Sequence, residues 1–233
     1  MTTVENTANQ IDRISIQVAL SGYSFKVSCR DGFSSSSGWL SADKVFTTRE
    51  FQRRYDAVDI SLFTDKVALF PQPFFSAERA RQMLSGVARI GDTDIVEYVP
   101  VPEFGAVMVY SNSIGESLSK VISGSVLRTD GYKSAVFPEL LFMLKALPSV
   151  GEYNKILASY ADGRLYLVMA QGKSLLLCNS FEAADFTTAE YFIFMAMRKL
   201  QLNPEVSSVY FRTPLTETRR MSLYRYFTSV EEI

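Results

Sequence analysis

Histidine is absent from all 233 residues. The commonest general base, the usual partner that activates a nucleophile and the commonest metal ligand are therefore missing. Metal-dependent chemistry would fall to carboxylates, as with magnesium. Asp92 and Asp94, one residue apart, could ligate a cation, although a loop before a strand accounts for them without one. Gly172-Lys173-Ser174 matches the tail of a P-loop. The full motif needs a glycine five residues earlier, where Leu167 stands, and it must open a helix, whereas this stretch reads as a turn between strands. Cys29 and Cys178, the only cysteines, both lie in apolar strand-like runs and read as small buried hydrophobes in a reducing compartment. Arg219-Arg220 with Tyr224-Arg225-Tyr226 could meet phosphate or RNA, but the nearby Glu217, Glu231 and Glu232 favour a solvated helix face. Tyr191, Phe192, Phe194 and Met195 are bulky enough for a cofactor pocket; their helical spacing favours core.

The chain offers these residues little long-range electrostatic help. It carries 24 basic and 25 acidic residues, without the excess positive charge usual in nucleic-acid or anionic-membrane binders. A 47% apolar and 21% charged composition is that of a globular protein. Met1 to Gln10 is polar and lacks the basic and apolar regions of a signal peptide. No run approaches the ~18 apolar residues of a membrane span. The expectation is a cytoplasmic protein, bound to neither membrane nor nucleic acid.

The elements that must position any site follow from periodicity. Ile14, Ile16, Val18 and Leu20 alternate on one strand face, Ser21-Gly22 turns, and Tyr23, Phe25 and Val27 alternate back. A serine-rich stretch, read as a hairpin loop or a flexible edge, leads to a third run ending near Phe46. Phe46-Thr47-Thr48-Arg49-Glu50-Phe51 then has the form of a capping box, with Thr47 as cap, a Phe46–Phe51 staple and a helix to about Ala57. The order recurs downstream. Strands over 155–160 and 164–170 flank Asp162-Gly163, a third strand covers 174–181, and Phe186-Thr187-Thr188-Ala189-Glu190-Tyr191 repeats the box. Gly22 precedes Thr47 by 25 positions and Gly163 precedes Thr187 by 24, a match that predicts an internal duplication. In the first half, strands are also expected over 59–63, 66–70, 95–101 and 106–110, with helices over 76–87 and 133–147. Pro138 falls in the first turn of the latter or marks its start. A strand over 206–212, a helix over 216–226 and a short last strand complete the second half. The boundaries expected are a tail over 1–12 and subdomains over 13–150 and 151–233.

Three antiparallel strands followed by helix, strand, helix and strand, twice over, resemble the ribonuclease H-like fold of actin, sugar kinases and heat-shock chaperones. The openings Ile14-Ser15-Ile16-Gln17-Val18-Ala19-Leu20-Ser21-Gly22-Tyr23-Ser24-Phe25 and Tyr160-Ala161-Asp162-Gly163 are similar to a Bacteroidetes family of unknown function described as having an actin-like ATPase fold. The resemblance covers nearly the whole chain. It implies an α/β chain with a duplicated actin-like ATPase fold, two mixed-sheet subdomains and flanking helices.

The resemblance also sets expectations for the site. Active members of that superfamily place an Asp-x-Gly turn between the first two strands of each half. The aspartates hold magnesium and water, and the turn amides face the phosphates. Matched on the glycines, Leu20 and Ala161 stand where the carboxylates belong. Ser21, Gly22, Asp162 and Gly163 remain as degenerate phosphate turns, with Asp162 one residue out of register. Three readings follow. One is a catalytically inactive interaction or scaffold protein with a degenerate nucleotide cleft. Another is an ATPase or sugar-kinase-like enzyme using ATP, magnesium and displaced carboxylates such as Asp162. The last is a structural partner in an oligomer or larger assembly. The first accounts best for the missing acids and implies a protein partner.

Overall fold

The computed structural model describes residues 12–111 and 136–233. The expected N-terminal tail up to residue 11, and the start of the helix expected at Lys133, lie outside the described residues. By their contacts the described residues form two units, 12–62 with 136–137, and 63–111 with 138–233.

In the first unit β1 (Arg13–Ala19) and β2 (Gly22–Ser28) form an antiparallel hairpin, and β5 (Ala57–Leu62) lies parallel to β1. With β3 (Ser34–Ser36), β4 (Leu40–Ser41) and β9 (Val136–Pro138), the sheet order is β3-β2-β1-β5-β9, and β4 pairs with β2. Strand alternation turns Ile14, Ile16, Val18, Val58, Ile60 and Leu62 into one core with Tyr23, Phe25 and Phe51. The serine stretch, expected as a hairpin loop or a flexible edge, supplies the edge strand β3, because Ser34–Ser36 pair with Lys26–Ser28.

The helix expected after Thr47 does not form. Two 3₁₀ segments, Ala42–Thr47 and Arg49–Gln52, occupy the stretch. The Thr47 hydroxyl donates back to the Lys44 carbonyl instead of capping forward. The Thr48 backbone N–H and hydroxyl reach the same carbonyl, and the Thr48 hydroxyl also meets the Tyr23 hydroxyl at 2.6 Å. Tied to β2 in this way, the segment advances in tight i→i+3 steps. Phe51 packs 5.2 Å from the Tyr23 ring, while Phe46 is 72% exposed, so there is no staple.

The second unit carries the five-stranded sheet β12-β11-β10-β13-β14. Its strands are β10 (Asn154–Ala161), β11 (Arg164–Gln171), β12 (Ser174–Glu182), β13 (Ser208–Phe211) and β14 (Ser229–Glu232). β10 to β12 run antiparallel, and β13 joins β10 and β14 in parallel. Helix α2 (Glu139–Ala146) begins directly after Pro138, which stands at its N-cap, where a residue without an N–H leaves no helical hydrogen bond unmade. This helix packs on β10 and β11. On the other face α3 (Phe186–Lys199) and α4 (Glu217–Leu223) close a core of Ile156, Ala158, Leu165, Leu167, Met169, Ile193, Val209 and Phe211. Cys178 is half-buried on β12, and burial pushes its thiol up to about 12. A three-stranded antiparallel sheet also belongs to this unit, with β6 (Val67–Pro71), β8 (Ala106–Ser111) and β7 (Val96–Val101) in that order. Helix α1 (Ala80–Ser85), shorter than the span expected over 76–87, packs on it through Ala80 and Leu84.

Helix α3 is capped by Asp185, two residues before the expected Thr187. The Asp185 carboxylate accepts the Thr188 N–H at 2.7 Å, and that bond holds its carboxyl below the usual range. A depressed folded value adds stability above the unfolded value near ~4 and loses it as pH falls through the folded one. Asp185→Ala is therefore expected to lower the unfolding midpoint at pH 7 by a margin that shrinks toward pH 2. Urea titrations at both pH values check this.

Candidate functional site

In open α/β sheets, ligands meet the chain outside the carboxyl ends of parallel strands. In the second unit that edge lies beyond β10 and β13, where Leu157 faces Tyr210 and Ala158 faces Phe211. The Arg212 N–H extends the ladder to the Ala158 carbonyl, and the Tyr160 N–H ends on the Thr213 hydroxyl at 3.0 Å. Alternation sends Ser159 toward α2 and Tyr160 toward α3.

On the α2 side three polar residues converge. Glu139, the first residue of α2, is 0% exposed. Its Oε1 accepts the Ser159 hydroxyl at 2.6 Å and stands 2.7 Å from Nη1 of Arg212. The Arg212 contact is ionic, without hydrogen-bond alignment at that nitrogen. The guanidinium also lies over the Phe142 ring, 5.5 Å from its centre. An acid and a base of opposite charge thus occupy one another, and Glu139 Oε1 has two partners before any ligand arrives.

On the α3 side, the Tyr160 and Phe186 rings meet edge to face at 5.5 Å, and the Arg219 guanidinium lies 5.1 Å over each. Burial raises the Tyr160 phenol, with Arg219 working against it. The Tyr160 hydroxyl donates to the Ala183 carbonyl, and the Ala183 N–H donates to the Gly163 carbonyl at 2.7 Å. The hairpin turn is thereby held to the start of α3.

That turn is Asp162-Gly163, between Ala161 and its partner Arg164. Both turn residues have positive φ, 49° and 69°, as the tight two-residue hairpin requires. In the first unit the two-residue turn is Leu20-Ser21, between Ala19 and its partner Gly22. Counted from the strand ends, Leu20 therefore corresponds to Asp162, Ala19 to Ala161, and Gly22 to Arg164. The two glycines do different work: Gly163 supplies a positive φ, while Gly22 admits the backbone of Leu40. Leu20 is 67% exposed and Ala161 is buried. Neither an aliphatic side chain nor a methyl can hold magnesium, so these two positions do not fit a carboxylate-bound metal.

The other candidates also have assigned places. Gly172-Lys173 is the turn from β11 to β12, and it opens no helix. Asp94 pairs with Lys66 and accepts the Gly91 N–H, so a lysine of the chain supplies its cation. Arg220 pairs with Glu232 at the end of β14. Glu139, Ser159 and Arg212 were not apparent from local sequence. Their only traces were an acid directly after Pro138, at the head of an apolar helix, and an arginine closing a strand.

A mixed sheet of the order β12-β11-β10-β13-β14, helices on both faces and a polar edge at the parallel strand ends define an α/β protein of the actin-like ATPase fold. The chain belongs to a family described as protein of unknown function (DUF3822), matched over residues 7–230. A structure from Bacteroides thetaiotaomicron, described as having an actin-like ATPase fold and unknown function, is similar to it. That similarity has a TM-score of 0.67 and 17% identity, over 100% of this chain and 94% of the other. The PilM–PilN type IV pilus biogenesis complex contains a chain similar at TM-score 0.53 and 12% identity, over 96% of this chain and 88% of that one. At such identities the likeness concerns the fold. No curated protein matches the sequence. Among the described residues, no helix is long and apolar enough to cross a membrane.

Proposed function

We propose that this protein is a catalytically inactive member of the actin-like fold that acts in the cytoplasm as an interaction or scaffold protein, with a degenerate nucleotide-binding turn in each half. In this reading residues 13–150 and 151–233 are two copies of one module. The observation that carries the proposal is the state of the acids. Leu20 and Ala161, matched to the expected aspartates on the glycines, and Ala19, matched to Ala161 by strand register, carry no carboxylate, and Glu139, buried at the strand ends, is engaged by Ser159 and Arg212. Phosphoryl transfer depends on positioned metal, water and donors, and a chain that has given up its acids keeps the scaffold of that chemistry without the means. Ser21, Gly22, Asp162 and Gly163 would then shape the turns without charging a metal site. The similarity to a chain of the PilM–PilN complex favours a protein partner.

The test is a thermal-shift series with ATP, ADP and GTP, with and without magnesium, alongside phosphate release. A nucleotide at a hundred times its dissociation constant adds about 2.7 kcal/mol and raises the midpoint visibly. The expected result is no magnesium-dependent hydrolysis, whether or not a shift occurs. Magnesium-dependent turnover that disappears in Asp162→Ala would replace this reading with an enzyme using displaced carboxylates.

A further inference from the structure

The outer helical layer of the second unit exposes several aromatic side chains. Tyr191 on α3 is 62% exposed, and Tyr226, just beyond α4, is 50% exposed. Tyr226 packs edge to face on Phe194, with ring centres 4.8 Å apart, and Phe194 stacks in turn on Phe227. Met221 and Tyr224 are exposed on and directly after α4. Residues three and four apart share a helix face, so Tyr191, Phe194, Met195 and Arg198 form one stripe along α3.

Cations border this stripe. Arg198 and Lys199 end α3, and Arg225 adjoins Tyr226; all three are exposed. Among the described residues none of the three forms an ion pair, whereas Arg220 beside them is paired with Glu232. The acids of the layer do not offset them. Glu190 is buried, Glu217 opens α4 roughly 10 Å from its far end at the helical rise, Glu232 is taken by Arg220, and Glu231 accepts the Ser229 hydroxyl. A chain of net charge −1 thus gathers three unpaired cations around a cluster of tyrosines, phenylalanine and methionine. Aromatic residues, methionine and arginine are the types enriched in protein interfaces, and exposed apolar patches rimmed by charge mark docking surfaces.

We propose that this face of α3, with the segment from Met221 to Tyr226, binds an acidic segment of a partner protein that carries aromatic or aliphatic anchors. The anchors pack on Tyr191, Phe194 and Tyr226, and the acids meet Arg198, Lys199 and Arg225. RNA also suits tyrosines and arginines. Three cations on a chain of balanced charge give little of the phosphate-directed field that such binding uses. The surface belongs to the second unit alone and does not depend on the nucleotide reading, so the two tests fail separately.

The probe is a fluorescent glutamate–tyrosine copolymer, followed by anisotropy with the full-length chain at 50 mM salt. Polyglutamate, a 20-nucleotide RNA and phosphatidylserine vesicles serve as comparisons. Saturable binding of the copolymer is expected, about tenfold tighter than polyglutamate and weakened as salt rises. Arg198→Glu with Arg225→Glu should weaken it about tenfold or more, and Tyr191→Ala several-fold, with unfolding midpoints near wild type because all three positions are exposed. Absent binding overturns the proposal. So does equal affinity for polyglutamate, indifference to the three substitutions, or tighter binding of RNA or vesicles.

Discussion

Gly22→Ala is expected to be among the most damaging single-atom additions in the first unit. A Cβ at this position would lie 2.0 Å from the Leu40 carbonyl oxygen and 3.0 Å from its carbon. The obstacle is backbone, held by the pairing of Gly22 with Ser41 and Tyr23 with Leu40. It cannot rotate away as a side chain would, so β4 must leave β2 or the hairpin must shift. We expect a loss of about 3 kcal/mol or more, the upper part of the overpacking range. Gly163→Ala gives the contrast. Its φ is +69°, but the nearest obstacle to a Cβ is at 3.6 Å. Its cost should be the left-handed penalty of about 1–2 kcal/mol. Urea unfolding of both variants separates the two causes. Equal losses would mean that Leu40 does not approach Gly22 as closely as described.

That contrast also shows where sequence reasoning reached and where it stopped. The strands were legible because alternation is local: Ile14, Ile16 and Val18 carry their own period. So was the start of a helix near Thr216, whose hydroxyl proves to cap it by accepting the Arg219 N–H, and of the two places open to Pro138 the structure takes the one directly before α2. Ser21-Gly22 and Asp162-Gly163 look alike as text. Only the ladder shows that one glycine begins a strand beside β4 while the other completes a turn. The two Phe-Thr-Thr boxes misled for a related reason. A capping box describes what a threonine can do locally, and it competes with tertiary bonds. Thr48 is bonded to Tyr23, and at the second box Asp185 reaches the Thr188 N–H first. Glu139 and Arg212 lie far apart in sequence and meet only through the order of β10 and β13, so no local pattern announces them.

Arg212→Met is expected to cost about 3–5 kcal/mol, the penalty for leaving a buried charge without its partner. Methionine keeps much of the apolar stem that lies against Phe142, so the loss should come from charge more than from packing. Glu139 cannot reach water to compensate, because it is 0% exposed. Arg212 is in a different position, with 13% of its side chain exposed. Glu139→Gln should therefore cost less: the amide oxygen can still accept the Ser159 hydroxyl, and the guanidinium retains Phe142 and some solvent. Combining the two changes removes both charges and should recover most of the loss, to within about 1–2 kcal/mol of wild type, since a neutral buried pair is often no less stable than an ionic one. A double variant as unstable as Arg212→Met alone would assign the loss to packing. Recovery would establish that Glu139 and Arg212 act as a unit whose work is to hold α2 against the strand ends. A carboxylate committed to that work needs no catalytic role to account for its place at the edge where the fold would otherwise put its chemistry.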